Sequence, residues 1–259
     1  MALVQKSVDG AVGTITLDHP EKHNALSAAL IADLLEALAW LAGSGVRVVV
    51  LRASRGAKVW SAGHDVRELP TQGRDPLTYH DPLRRAVRAI KETAMPVLAM
   101  VEGSVWGGAC ELVMSCDVVV AAEGATFAVT PAKLGVPYDI TGVLNFMRAV
   151  SLPVIKEMLF TAQPMPAERA LRVGIVNQVV SADRLEGVTA ELAGQMTRNS
   201  PLVIALLKEE LRVLAGATPL TPEAFERIQA LRRRIYDSAD YQEGIRSFFE
   251  RRAPHFEGR

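Results

Sequence analysis

The stretch VEGSVWGGACELVMSCD, Val101 to Asp117, decides how this chain is read. It starts at the end of an apolar, strand-like run, Pro96 to Val101, turns through glycines and opens an amphipathic helix-like segment. Gly103, Gly107 and Gly108 permit a sharp turn and bring backbone close to a ligand where a Cβ would intervene. N–H groups at the start of such a helix lack intrahelical partners and point at whatever occupies the turn, whether phosphate, carboxylate or oxyanion. One acid, Glu111, lies among Cys110, Leu112, Val113 and Met114. A lone carboxylate is costly to bury, so its place on an apolar helix points to function. A glycine-tolerant connection with a surface glutamate reads the same residues without function, and this stretch alone leaves both open.

Working outward, 259 residues suit one large α/β domain or a core with a smaller appendage. Hydrophobic residues at 49% against 22% charged support a sizeable core and argue against disorder. Lysine plus arginine, 29, equals aspartate plus glutamate, 29, so no global field favours nucleic acid or an anionic membrane. Cys110 and Cys116 are too few for a disulfide framework, and their spacing matches no metal pattern. The start, MALVQKSVDG, has neither an apolar signal core nor the look of a transit peptide, and no apolar run reaches membrane-spanning length. A soluble, cytoplasmic protein is expected.

Strands are expected at Val4 to Val8 and Val12 to Leu17 around the Asp9-Gly10 turn, at Val46 to Leu51, and at Asp117 to Ala121. Ser27 is a candidate N-cap for a helix to about Ala42, with Leu30, Ile31, Leu34, Leu35, Leu38 and Leu41 as its apolar stripe. Gly56 to Asp65 and Thr71 to Asp81 read as loops, Leu83 to Lys91 as a helix. Helical periodicity dominates beyond, over Leu144 to Val150, Pro153 to Phe160 and Ala167 to Val173, the last stopping at Gly174. A short strand, Ile175 to Val180, precedes helices over Arg184 to Arg198, Pro201 to Leu214, Pro222 to Tyr236 and Asp240 to Arg252. Alternating strands and helices followed by helices alone imply an α/β core of mostly parallel strands with a helical extension.

With Ser61-Ala-Gly-His-Asp65 and Gly103 to Glu111 both in view, the chain resembles the crotonase (enoyl-CoA hydratase/isomerase) superfamily. PEKHNAL from Pro20, ALRVGIV from Ala170 and the tail FFERRAPHFEGR agree in order and spacing, so the resemblance covers essentially the whole chain. It implies a spiral of ββα units over residues 1–200 and a C-terminal helical region, 201–259, that supports homotrimers or hexamers. It implies an acyl-CoA thioester as substrate, with no separate cofactor, metal or biotin. It also implies an oxyanion hole formed by the N–H groups of His64 and Gly108, which suits an enolate because fixed donors stabilise the oxygen where charge develops.

One departure bears on the reaction. Hydratases of the family add water with two glutamates; Glu111 matches the first, but Pro131, after Thr130, stands where the second belongs. Tyr138, in GVPYD, lies in the loop that faces the acyl group in the family. The resemblance therefore implies biotin-independent decarboxylation of (methyl)malonyl-CoA through a thioester enolate. Tyr138 and Thr130 would bind the leaving carboxylate, with Glu111 orienting groups or helping to deliver the α-proton. The alternatives are an enoyl-CoA hydratase or isomerase using Glu111 alone, or a non-catalytic acyl-CoA-binding protein. Substrate contacts are expected from Lys22, Ala25, Ala62, Gly63, His64, Asp65, Val66, Gly108, Thr130 and Arg251, with Lys58 a weaker candidate. Trp106 reads as a pocket wall, and Arg232 to Arg234 as a solvated or intersubunit face. Ser61, His64 and Asp65 are too close along one loop for a hydrolytic triad, and His19 and His23 straddle a proline loop unsuited to a metal.

Overall fold

The Asp9-Gly10 turn, with Gly10 at φ +56, folds β1 (Val4–Asp9) back onto β2 (Val12–Leu17) as an antiparallel hairpin. In the computed structural model, which describes residues 2–69, 81–215 and 222–256, that hairpin starts a larger sheet of mostly parallel strands. Its order is β1-β2-β3-β5-β7-β10, with β3 (Val48–Ala53), β5 (Val97–Val101), β7 (Val118–Ala122) and β10 (Gln178–Val180). A second sheet runs β4-β6-β8-β9, built from β4 (Val59–Ser61), β6 (Ser104–Trp106), β8 (Thr126–Ala128) and β9 (Met165–Pro166). Each turn of the chain thus adds one strand to each sheet. In the first two turns the strand pair is followed by a helix, α2 (Pro82–Glu92) after β3 and β4, and α3 (Gly108–Met114) after β5 and β6. This is the expected spiral of ββα units.

The continuous β-branched runs follow from burial on both faces. Val49, Leu51, Val97, Ala99, Val101, Val119 and Ala121 join the main core with α1 (Ala28–Ala42), α2 and α3. Val48, Val50, Leu98, Met100, Val120 and Ala122 face the other way and pack with Leu185 and Ala193 of α7 (Leu185–Thr197). Ser27 caps α1 by accepting a hydrogen bond from the Leu30 N–H at 3.2 Å.

Three differences from the sequence expectation have local causes. β4, β6 and β8 are each three residues long, too short to show a period inside glycine-rich loops. α4 (Ile140–Ala149) begins four residues before Leu144, its early turn disguised by Gly142. Arg232 is not solvated: it is buried near Asp139, at 3.6 Å, while Arg233 and Arg234 stay exposed. The polar loop expected at Thr71 to Asp81 lies, apart from Asp81, outside the described residues.

The last third of the described chain comprises α5 (Leu152–Thr161), α6 (Ala167–Val173), α7, α8 (Pro201–Ala215), α9 (Pro222–Tyr236) and α10 (Ala239–Phe249). Gly174, at φ +89, ends α6 in the left-handed conformation expected of it. The Lys208 ammonium of α8 reaches back to the Ile90 and Met95 carbonyls and to Asp117. Gly244 of α10 presses against the 3-10 turn Pro131–Leu134, where a Cβ would meet the Leu134 carbonyl oxygen at 2.0 Å. The turn so clamped leads directly to Tyr138. Gly244→Ala is therefore expected to destabilise the protein by about 1–3 kcal/mol through overpacking, read as a lower denaturation midpoint. An unchanged midpoint would mean the clamp yields freely.

Candidate active site

Two loops are lashed together before any catalytic side chain enters. Asn24, buried and at φ +50, accepts from the His19 N–H at 2.7 Å and donates to the Trp60 carbonyl at 3.0 Å. The Ser61 hydroxyl donates to the Asn24 carbonyl at 2.7 Å and accepts from the Gly63 N–H at 3.2 Å. Ala62 donates to the His23 carbonyl, and Leu26 to the Gly63 carbonyl at 2.7 Å, pairing Leu26 with His64. Asp65 caps the next turn and is gripped by the Arg67 guanidinium, whose hydrogen bonds hold it below its ordinary pKa. Ser61 and Asp65 are thus both spent on the loop itself, as the absence of a triad requires.

This loop meets the start of α3. A Cβ on Gly63, at φ +82, would lie 2.4 Å from the Trp106 carbonyl oxygen and 3.2 Å from the Gly108 nitrogen. A Cβ on Gly108 would lie 3.7 Å from the His64 nitrogen and 2.7 Å from Leu83 Cδ2. Glycine at both positions lets the two backbones touch, which places the His64 and Gly108 amides side by side. Gly108 opens α3, so its N–H has no intrahelical acceptor. Two neighbouring N–H groups can hold one oxygen and stabilise negative charge on it. Thr130 stands at the same spot: its hydroxyl oxygen would lie 3.6 Å from a Cβ on Gly107.

Glu111 departs from the expectation of a lone acid. It is fully buried and filled on every side. Its Oε1 accepts from Arg84 Nη1 at 2.5 Å and from Asn145 Nδ2 at 2.7 Å. Its Oε2 accepts from Arg84 Nη2 and from the Tyr138 hydroxyl at 3.0 Å. A carboxylate offers about four acceptor positions, and four donors occupy them. Burial pushes the Arg84 guanidinium down, but the hydrogen bonds and charge of Glu111 outweigh it and hold it above the ordinary arginine value. Tyr138 goes up, through burial first and the Glu111 charge second, so it keeps its proton. Asp139 lies 3.4 Å from Arg84 and 3.6 Å from Arg232, extending the charge row to α9. Gly142 makes the arrangement possible, because a Cβ there would sit 2.3 Å from Tyr138 Cε1 and 2.9 Å from Glu111 Oε2.

Of the residues singled out by sequence, Gly63, His64, Gly108, Glu111, Thr130 and Tyr138 are gathered here. Ala25, Ala62, Asp65 and Val66 belong to the two lashed loops; Lys22 is exposed on the same loop, near enough to Asp65 to act on its charge. Lys58 lines a cleft of about 110 Å³ with Pro20 and His23. Arg251 is exposed beyond α10, and among the described residues its side chain makes no bond to these loops. Trp106 is half-buried, its indole N–H donating to Ser104. Cys110 is no nucleophile, since burial pushes its thiol up to about 12. Among the described residues no three His, Cys, Asp or Glu cluster as metal ligands. Arg84 and Asn145 were not anticipated. The signal for Arg84 was available: it interrupts the apolar face of α2 formed by Leu83, Val87 and Ile90.

Residues 7–259 match the Enoyl-CoA hydratase/isomerase family. The chain is 49% identical over 247 residues to methylmalonyl-CoA decarboxylase of Escherichia coli (strain K12), covering 95% of each. It is 36% identical over 255 residues to carnitinyl-CoA dehydratase of Salmonella typhi, covering 97% of each. Among solved structures, methylmalonyl-CoA decarboxylase in complex with 2-nitronate-propionyl-CoA superposes with a TM-score of 0.97 at 48% identity, over 99% of both chains. The same enzyme complexed with 2S-carboxypropyl CoA gives 0.97 at 48% identity, over 99% of this chain and 98% of that one.

Removing the arginine would strand Glu111 without a cation in a dry site. Arg84→Met is expected to cost about 3–5 kcal/mol of stability, measured by denaturant unfolding. The double variant Arg84→Met/Glu111→Gln should recover part of that loss, since the carboxylate left without its guanidinium is removed with it. A single variant as stable as the parent would mean the pair contributes nothing.

Proposed function

The chain belongs to the enoyl-CoA hydratase/isomerase family, and from that premise we propose that it decarboxylates a malonyl-type CoA thioester, with methylmalonyl-CoA or malonyl-CoA as substrate. The observation that carries the reading is the saturation of Glu111. A carboxylate whose acceptor positions are held by Arg84, Asn145 and Tyr138 is a poor base for activating water, and Pro131 offers no second acid. Decarboxylation needs neither.

In the proposed reaction the bond from the α-carbon to the carboxylate carbon breaks. Its electron pair moves into the thioester, giving an enolate whose oxygen accepts from the His64 and Gly108 N–H groups. Carbon dioxide leaves neutral, and the α-carbon takes a proton from water, releasing hydroxide that the solvent neutralises, to give propionyl-CoA, or acetyl-CoA from malonyl-CoA. Because the thioester itself receives the electron pair, the chemistry as written uses no metal and no biotin. Tyr138 has one hydroxyl proton, and it can be lent. Glu111 retains three other donors when Tyr138 turns from it to the substrate carboxylate, so the exchange leaves no buried charge unpaired. Glu111, its acceptor positions held by donors, serves to hold Tyr138 before the substrate binds. Thr130 supplies a second hydroxyl for the carboxylate, and the loop of Lys22, Ala25 and Ala62, with Arg251, receives the CoA portion.

The same reading carries a homotrimer or hexamer assembled through residues 201–259, and a cytoplasmic location. Support for assembly comes from α8, which exposes Leu202, Leu206, Leu211 and Leu214, Leu202 to 82%. The free thiols of Cys110 and Cys116 suit a reducing compartment.

Incubated with methylmalonyl-CoA, the protein is expected to release carbon dioxide and propionyl-CoA, and to leave crotonyl-CoA unhydrated. Hydration of crotonyl-CoA without decarboxylation would overturn the reading. Tyr138→Phe should lower decarboxylation by at least about tenfold, the value of a hydrogen bond to a charged group; a change within a few-fold removes Tyr138 from the mechanism. Light scattering should return a multiple of three 28.0 kDa chains; a monomer mass would exclude the assembly.

A further inference from the structure

The donors on Glu111 do not end at Asn145. The Asn145 carbonyl oxygen accepts from the Lys91 ammonium at 2.5 Å, while its amide nitrogen donates to Glu111 Oε1 at 2.7 Å. An ammonium only donates and a carboxylate only accepts, so the amide has one workable orientation between them. A single line of hydrogen bonds therefore runs from Lys91 through Asn145 and Glu111 to the Tyr138 hydroxyl. Its far end meets a cavity of about 900 Å³, lined by Lys91, Asn145, Arg148 and Lys208 among others, on the side of α2 and α4 turned towards α8.

Charge bookkeeping along this line has an unequal result. Glu111 and Asp139 are matched by Arg84 and Arg232, which leaves Lys91 in excess. We propose that Lys91 and Asn145 are positioning residues for the carboxylate of the substrate: Lys91 fixes the Asn145 amide, the amide fixes Glu111, Glu111 holds Tyr138 in place until its hydroxyl turns to the substrate, and the ammonium adds one positive charge to this wall of the site. The inference rests on the decarboxylase reading, because it concerns the group that reading removes. A substrate carrying a carboxylate gains from the excess charge, whereas the decarboxylated product has nothing to gain. Lys91 thus favours substrate over product without touching either.

The charge is also within reach of titration. Burial first, with the cations Arg148, Arg84 and Arg212 behind it, lowers Lys91 to about 8 against the opposing pull of Glu111. The groups facing it are Glu111 from α3, Arg84, Arg88 and Glu92 from its own helix, Arg148 from α4, and Lys208 and Arg212 from α8, with Asp117 and Asp139 at the margins. Its ammonium form prevails below that value and is lost above it.

Steady-state kinetics with methylmalonyl-CoA between pH 6.5 and 9.5 test this. In the wild-type protein kcat/KM is expected to fall along a basic limb near pH 8, carried by KM, while inhibition by propionyl-CoA stays flat. Lys91→Met should raise KM for methylmalonyl-CoA about tenfold at neutral pH, abolish the limb and leave the propionyl-CoA constant within twofold. Lys91→Arg should restore KM and move the limb beyond the range. An unchanged limb in Lys91→Met, or an equal loss of affinity for propionyl-CoA, would overturn the inference alone. The wild-type limb carries the test if a variant does not fold, and its absence is equally fatal. Failure of the wild-type protein to release carbon dioxide would overturn the proposed function and this inference with it.

Discussion

The buried pairing of Arg84 with Glu111 is the contact on which the centre of this molecule depends. Neither charge could be dehydrated alone, and together they still need further partners to offset the cost. Those partners come from different parts of the chain: Asn145 from α4, Tyr138 from the loop before it, Asp139 at its N-terminus, and Arg232 from α9. Satisfying one carboxylate thus draws α2, α3, α4 and α9 to a common point. The geometry around it is specified by electrostatics, while the two apolar cores fix only the layers.

The same pairing separates two chemistries available to one scaffold. A glutamate facing water with free lone pairs can take or give a proton, which hydration requires. Here four donors hold the carboxylate, and Pro131 occupies the place of a second acid. Both changes push in one direction. What remains is a pair of amides, a tyrosine hydroxyl kept protonated by burial and a nearby threonine. That set can receive negative charge and guide a carboxylate, and it has little means of adding water.

Much of this was legible in the sequence. The long β-branched runs, the Asp9-Gly10 hairpin, the Ser27 cap and the Gly174 stop each have a local cause, and each element lies close to its expected place. The juxtaposition of His64 with Gly108 was legible only through the resemblance, because it depends on contacts between loops more than forty residues apart. Arg84 carries only a weak signal, a single break in an apolar stripe, and a run of three arginines looks solvated whether or not one of them, here Arg232, turns inward. Asn145 had no signal: an amide on a helix becomes meaningful only once its neighbours on other helices are known. Three-residue strands have no period to detect, which hid the second sheet.

That second sheet has a further implication. β4, β6 and β8 lie side by side and parallel, about 4.8 Å apart, and the segments that leave them carry His64, Gly108 and Thr130 in turn. The spacing of the site is therefore inherited from main-chain pairing, and its two amide donors belong to no side chain. Side-chain substitutions around them can change which group is presented to them, whereas removing a donor takes a proline or a Cβ at one of the crowded glycines. In the proposed function the enolate oxygen is held by backbone alone, so side chains that differ in chemistry can surround the same pair of donors.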